Sequence, residues 1–289
     1  MSSIATALVP LPGARDARDP QRAIKRGPSR VPREQVAATQ RDRLYDGLVR
    51  TVAEHGYANA SVSDICRASG VTRPAFYEHF ESKQGAFLAA YRHGTDVLFA
   101  MLRNAFEAAR DGGVDGDGDG AIDGAIDGAI DGDDDGDDDG AHAWARITST
   151  VLGVLLDVLS SVPAFATAAI VEIDAVGPQG RQARADRLRD FEDFFAAAPA
   201  TPPGVDRAEV VGSVVAGAYG TLHRHIADGR AADLPTLLPA LVFFVAAPFT
   251  GPEIAARAAA GAHGAHERSV APCVPAQAET GTGATGGNA

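Results

Sequence analysis

Residues 61–80, SVSDICRASGVTRPAFYEHF, decide how the rest of this chain is read. Ser61 followed by Asp64 is a capping box: the hydroxyl accepts from a free backbone N–H, and the carboxylate reaches back to the Ser61 N–H. The spacing predicts a helix from there, with Val62, Ile65 and Cys66 on its buried side. Gly70 permits a left-handed turn, and Val71 plugs the angle behind it. Thr72 is an N-cap for a second helix, and Pro74 fits its first turn, where a missing N–H costs little. Phe76 and Phe80 are four apart and face inward, leaving Arg73, Ala75, Tyr77 and His79 outside. Two helices joined by a short glycine-containing turn form a helix-turn-helix pattern.

Working outward, a helix over Glu34–His55 carries Leu44, Leu48 and Val52 on one stripe and stops at Gly56. After Phe80, the run Glu81-Ser82-Lys83 opens a fourth helix. Phe87, Leu88, Tyr91, Leu98, Leu102 and Phe106 carry it toward Arg110, long enough to leave a first domain and enter a second.

Roughly Glu34 to Leu98 resembles the TetR family of transcriptional regulators. The run from Thr72 to Lys83 is similar to the family's recognition helix and following turn almost position for position. Gln84, where an acidic residue is common, and Gly85, where Ala is common, depart from the pattern without touching the groove-facing residues. The resemblance implies an all-α fold: a three-helix DNA-binding domain (34–100), then a larger helical regulatory and dimerisation domain (101–260). It also implies a cytoplasmic, homodimeric repressor that binds a palindromic operator and is released by a small ligand. In the reading helix, Thr72, Arg73 and Pro74 stand at the N-terminus, where such helices reach base edges. Arg73 can pair bidentately with guanine. Tyr77, His79, Lys83 and, from the preceding helix, Ser63 are candidates for phosphate contacts.

Charge supports this division. The chain has 289 residues and a net charge of −12, but residues 1–110 hold 16 Lys and Arg against 11 Asp and Glu. Residues 111–140 hold 13 Asp and no basic residue. The DNA-side part is therefore basic, and one acidic insert hides it. Residues 1–33, rich in Pro, Arg and Ala and without periodicity, read as a disordered basic arm that either contacts DNA or is a solvated leader. The Asp/Gly insert reads as disordered too, since both residues are poor helix formers and the charges repel. Asp115, Asp117 and Asp119 open like a calcium-binding loop, but its twelfth position is Ile126 instead of the bidentate Glu such a loop needs. A disordered tail is expected over 261–289.

Beyond the insert, apolar periodicity returns in helices from His142, from Pro163 to Gly177, over Gln179–Ala198, over Asp206–Asp228 and over Asp233–Ala247. In the last of these, Pro239 should kink the helix or delay its start. A short helix follows at Pro252–Ala260. Trp144, Ile147, Val151, Phe165, Ile170, Phe191, Phe195 and Tyr219 are candidates to line a pocket for a small, mostly apolar or aromatic ligand. Each singly can equally be plain core. The small residues between Asp206 and Asp228 allow close helix approach, so Val214, Gly217, Leu222, Phe243 and Phe244 are candidates for a dimer interface.

No catalytic set, cofactor or metal site is expected. His223 and His225 are two apart and point to different sides of a helix. Glu172 and Asp174 are likewise two apart and face either a cavity or water. Cys66 and Cys273 make no disulfide framework. No signal peptide is evident, and the apolar run Leu234–Phe249 falls below the ~18 residues of a membrane span. The alternative class is an apolar-pocket enzyme or carrier with an accessory DNA-binding domain.

Overall fold

The computed structural model describes residues 10–16, 32–111 and 135–270, and among them there are helices and no strand. The caps fall where the residue types put them. Helix α1 spans Arg33–His55 and ends at Gly56, whose φ of 78° suits glycine alone. Helix α2, Val62–Ser69, carries the complete Ser61–Asp64 capping box and ends on Gly70 in the left-handed region. Helix α3, Arg73–His79, is capped by Thr72, which accepts from the Ala75 N–H. Ile65 and Phe76 are fully buried, and Tyr45 and Phe80 stack behind them with ring centroids 5.9 Å apart. Gly47 lets α1 and α2 touch, since a Cβ there would meet the Ser69 backbone at 2.8 Å.

Helix α4, Lys83–Asp111, runs from this unit into the second, where α5 (Asp135–Ser161) packs along it. Helix α6, Pro163–Ala166, continues as a π-helical turn over Thr167–Val171 and a 3-10 turn over Glu172–Val176, ending at Gly177. Helix α7 spans Pro178–Glu192 with a 3-10 extension to Ala197, and α8 spans Arg207–Ala227. After a 3-10 segment over Ala231–Leu237, α9 covers Leu238–Val270 and breaks direction at Gly251, φ 78°. Pro239 therefore delays this helix, as its place in a first turn allows. One continuous core runs through both units.

Four expectations meet a different structure. Residues 10–16, expected within a disordered arm, are packed: Leu11 is buried, and the Gly13 N–H donates to Asp46 Oδ1 at 2.8 Å. Helix α5 begins at Asp135, inside the aspartate run, and continues into the apolar stretch that packs on α4 and α9. The last helix runs on to Val270, past the boundary at residue 261, because the chain turns at Gly251 and resumes a helix with Pro252 in its first turn. Two helical stretches, Asp139–Ser161 and Ala231–Ala262, are long and apolar enough to cross a membrane by length and composition. In this fold α5 and α9 pack on each other. The expectations for the other arm residues, for residues 112–134 and for the tail beyond 270 lie outside the described residues.

Candidate nucleic-acid interface and ligand cavity

The outer side of α2 and α3 presents Ser63, Thr72, Arg73, Pro74 and Tyr77, all exposed. Arg73 is not loose: its Nη1 donates to Ser63 Oγ at 3.1 Å, which holds the guanidinium across the turn. Tyr77 is 49% exposed, with its ring edge-on to Phe76, an aromatic on a charged surface with its hydroxyl outward. His79 is half-buried, and its Nε2 lies 3.2 Å from Gln40 Oε1, tying α3 to α1.

Lys83 has a further job. Its ammonium donates to the carbonyls of Tyr57 (2.7 Å) and Ala60 (2.9 Å) and sits 4.3 Å from the centroid of the Tyr57 ring. Partial burial pushes its pKa down. Two of its three N–H groups thus close the α1–α2 loop. Asp64, held by the Ser61 hydroxyl and N–H and helped by Arg67, has its pKa lowered.

In the second unit, α4, α5, α6 with its π turn, α7, α8 and α9 enclose a cavity of about 150 Å³. All eight residues expected at a pocket line it: Trp144, Ile147, Val151, Phe165, Ile170, Phe191, Phe195 and Tyr219. Its open wall is apolar throughout. Sequence reading missed the contribution of α4, from Thr95, Leu98, Leu102 and Phe106. Leu98, Leu102 and Phe106, at i, i+4 and i+8, were legible only as generic core, and Thr95 carried no signal. The Tyr219 hydroxyl donates to the Ile170 carbonyl at 2.7 Å, fixing the π turn against α8, and burial raises its pKa. Trp144 Nε1 and Thr148 Oγ1 are buried with no hydrogen-bond partner.

Beside the wall, Arg184 pairs with Asp174 at 2.6 Å and lies 5.5 Å from the Tyr219 ring centroid. Neither Asp174 nor Glu172 lines the cavity: Asp174 closes this part-exposed pair, and Glu172 Oε2 accepts the Tyr57 N–H at 2.7 Å, joining the π/3-10 stretch to the DNA-side unit. Gln84 makes a second tie, donating to the Val176 carbonyl at 3.1 Å. No His, Cys, Asp and Glu cluster suited to a metal ion occurs among the described residues.

The residues expected at a dimer interface divide. Val214 and Leu222 are buried within the chain and line the cavity, so they are not surface residues. Helix α8 is apolar on most of its sides, and only its neighbours decide which side turns inward. Phe243 and Phe244 are 43% and 44% exposed. A Cβ on Gly217 would meet the Phe244 ring at 2.7 Å, so the Phe244 ring lies over Gly217 within the chain.

Residues 44–90 match the family model described as bacterial regulatory proteins, tetR family. The chain is 35% identical over 79 residues to the HTH-type transcriptional repressor Rv1474c of Mycobacterium tuberculosis, covering 27% of this chain and 39% of that protein. It is 29% identical over 97 residues to the HTH-type transcriptional activator FasR of Mycolicibacterium smegmatis, covering 34% and 42%. Against the HTH-type transcriptional repressor AcnR of Corynebacterium glutamicum it is 40% identical over 52 residues, covering 18% and 28%. The chain thus spans less than half the length of these curated relatives. Among solved structures, the fatty acid degradation regulator FadR from Bacillus halodurans superposes with a TM-score of 0.51 at 14% identity, covering 77% of this chain and 97% of that one. FadR from Bacillus subtilis, in complex with stearoyl-CoA, gives the same TM-score and identity over 72% and 97%. At that identity the likeness is one of fold.

Proposed function

We infer, for a chain that belongs to the TetR family of bacterial regulatory proteins, that its activity is DNA binding controlled by a ligand. The observation that carries this reading is the pairing of an exposed surface on α3 with an apolar cavity between the helices of the second unit, joined by the Tyr57–Glu172 and Gln84–Val176 hydrogen bonds. The reading is a cytoplasmic repressor that binds a palindromic operator as a homodimer. Its dimer face is the outer side of α8 and α9 around Gly217, Phe243 and Phe244. Two exposed phenylalanines supply apolar area for a partner, and two-fold symmetry would set two α3 helices in successive major grooves.

The ligand is apolar over most of its length, because a charged group would lose its hydration against this wall without a partner. A long acyl chain fits that chemistry, in keeping with the stearoyl-CoA bound by the Bacillus subtilis FadR. The test is an anisotropy titration with duplex DNA from upstream of the protein's own gene, with and without stearoyl-CoA. Salt-sensitive, saturable binding weakened by the acyl compound is expected. Equal affinity for scrambled DNA would overturn the regulator reading. Thermal stabilisation only by highly charged, chain-free compounds would overturn the ligand class.

A further inference from the structure

We propose that residues 10–16 form an intramolecular strap that fixes the orientation of the DNA-binding unit on the regulatory unit. The segment crosses the junction of α1 with α6. Leu11, Pro12 and Gly13 are buried, although they lie well before the first helix. Gly13 is the point of closest approach: a Cβ there would lie 3.0 Å from Val49 Cγ1 on α1 and 3.6 Å from Ala164 Cβ on α6. Its φ of 85° also requires glycine. Only a residue without a side chain passes between the two helices in this conformation.

Both backbone polar groups of Gly13 are held by α1. Its N–H donates to Asp46 Oδ1 at 2.8 Å, and its carbonyl accepts from Arg50 Nη2 at 3.1 Å. Asp46 is 1% exposed, and an acid so deep in a helix interface needs donors of this kind to offset its lost hydration. Arg15 adds an ion pair to Asp42 at 3.8 Å, one turn earlier on α1. The Ala14 N–H donates back to the Leu11 carbonyl, closing a turn that presents Leu11 inward. The strap is thus anchored along α1 by polar contacts and wedged against α6 by shape. Ala164 precedes Phe165, which lines the ligand cavity, so the strap's seat is next to the wall that a ligand would press. The shared core already joins the two units, and a segment seated on both adds polar and steric contacts that select one orientation between them.

The experiment needs neither operator nor ligand, so its failure is separable from failure of the regulator reading. Spin labels are placed at Glu78→Cys on α3 and Arg189→Cys on α7 in the full-length chain, with Cys273→Ser and Cys66 left buried. The labelled protein is diluted into unlabelled protein. The parent should give one narrow distance maximum, and Leu11→Asp or deletion of residues 2–16 should lose it, giving a broad distribution. A distribution unchanged in both variants overturns the proposal. If neither variant folds, amide exchange on the unmodified protein decides: slow exchange at Gly13 with the strap seated is expected, and exchange at the unprotected rate refutes it.

Discussion

Between Ser61 and Lys83 one short stretch of chain supplies the whole reading surface, whereas the cavity draws its wall from residues as far apart as Thr95 and Val245. The two regions also differ in how they satisfy themselves. The reading unit is filled and capped: Phe76, Ile65 and Leu48 are almost fully buried, and the hydroxyls of Ser61, Ser69 and Thr51 all have partners. The cavity leaves space open and leaves two polar atoms, Trp144 Nε1 and Thr148 Oγ1, without partners. On the proposed function, a surface that meets a fixed groove is best made rigid in advance, and a compartment that takes in a ligand keeps part of its packing unspent until the ligand arrives.

The largest expected effect that separates the two regions is the cost of losing an aromatic ring. Phe76→Ala removes a ring packed on all sides and should cost about 3–5 kcal/mol, abolishing DNA binding through loss of fold. Phe191→Ala removes a ring from the cavity wall, where one side already lacks neighbours, and should cost about half as much while changing the ligand response. Denaturant melts of the two variants make the comparison. Equal losses would mean that the cavity is packed as tightly as the reading unit.

Next in size is Arg73→Ala. With Ser63 holding the guanidinium in place, loss of Arg73 should cost about 1–3 kcal/mol at one base position per half-site, leaving the melting curve unchanged. Ser63→Ala keeps the reader and frees it, so it should weaken the same position by less. Binding to a panel of single-base operator variants checks both. A uniform loss across the panel would make Arg73 a phosphate contact.

Lys83 sharpens the comparison within the reading unit. A role confined to phosphates predicts that Lys83→Ala leaves stability alone and flattens the salt dependence of binding. The bonds to the Tyr57 and Ala60 carbonyls predict instead a stability loss of about 1–2 kcal/mol, since charge-assisted hydrogen bonds are among the stronger ones. Thermal melting in the absence of DNA distinguishes the two.

Legibility in the sequence followed the same division. The caps at Ser61, Gly70 and Thr72 act within a few residues of themselves, so residue type alone located α2 and α3. The cavity residues were legible as apolar positions at helical spacing, and the fold brought all eight to one wall. Periodicity could not say which side of α8 faces inward, since Val211, Val214, Val215 and Leu222 turn in while Ser213, Ala216 and Gly220 turn out. That is why Val214 and Leu222 were placed on the wrong face. The strap left no local signal, because the buried partner of Gly13 lies on α1, at Asp46. The break before Pro252 and the helix after it were legible in sequence, but the Gly- and Ala-rich composition beyond residue 260 hid that this helix runs on to Val270.

The smallest expected effect puts the same substitution into both regions. Thr51 on α1 and Thr148 on α5 are 4% and 5% exposed, and valine has nearly the shape of threonine, with a methyl group in place of the hydroxyl. The Thr51 hydroxyl donates to the Gly47 carbonyl at 2.7 Å, so Thr51→Val gives up a made bond and should lower stability by about 0.5–1 kcal/mol. The Thr148 hydroxyl has no partner, so Thr148→Val removes a desolvated group at no loss of bonding. It should raise stability by up to about 1 kcal/mol, or ~2–4 °C in melting temperature for a chain of this size. The sign should therefore reverse between the two sites. If the Thr148 hydroxyl serves a polar group on the ligand, the same variant should melt higher when empty and gain less from stearoyl-CoA. A Thr148→Val protein that melts lower than its parent would mean that the hydroxyl is already satisfied in solution and that the cavity is wetter than its apolar wall implies.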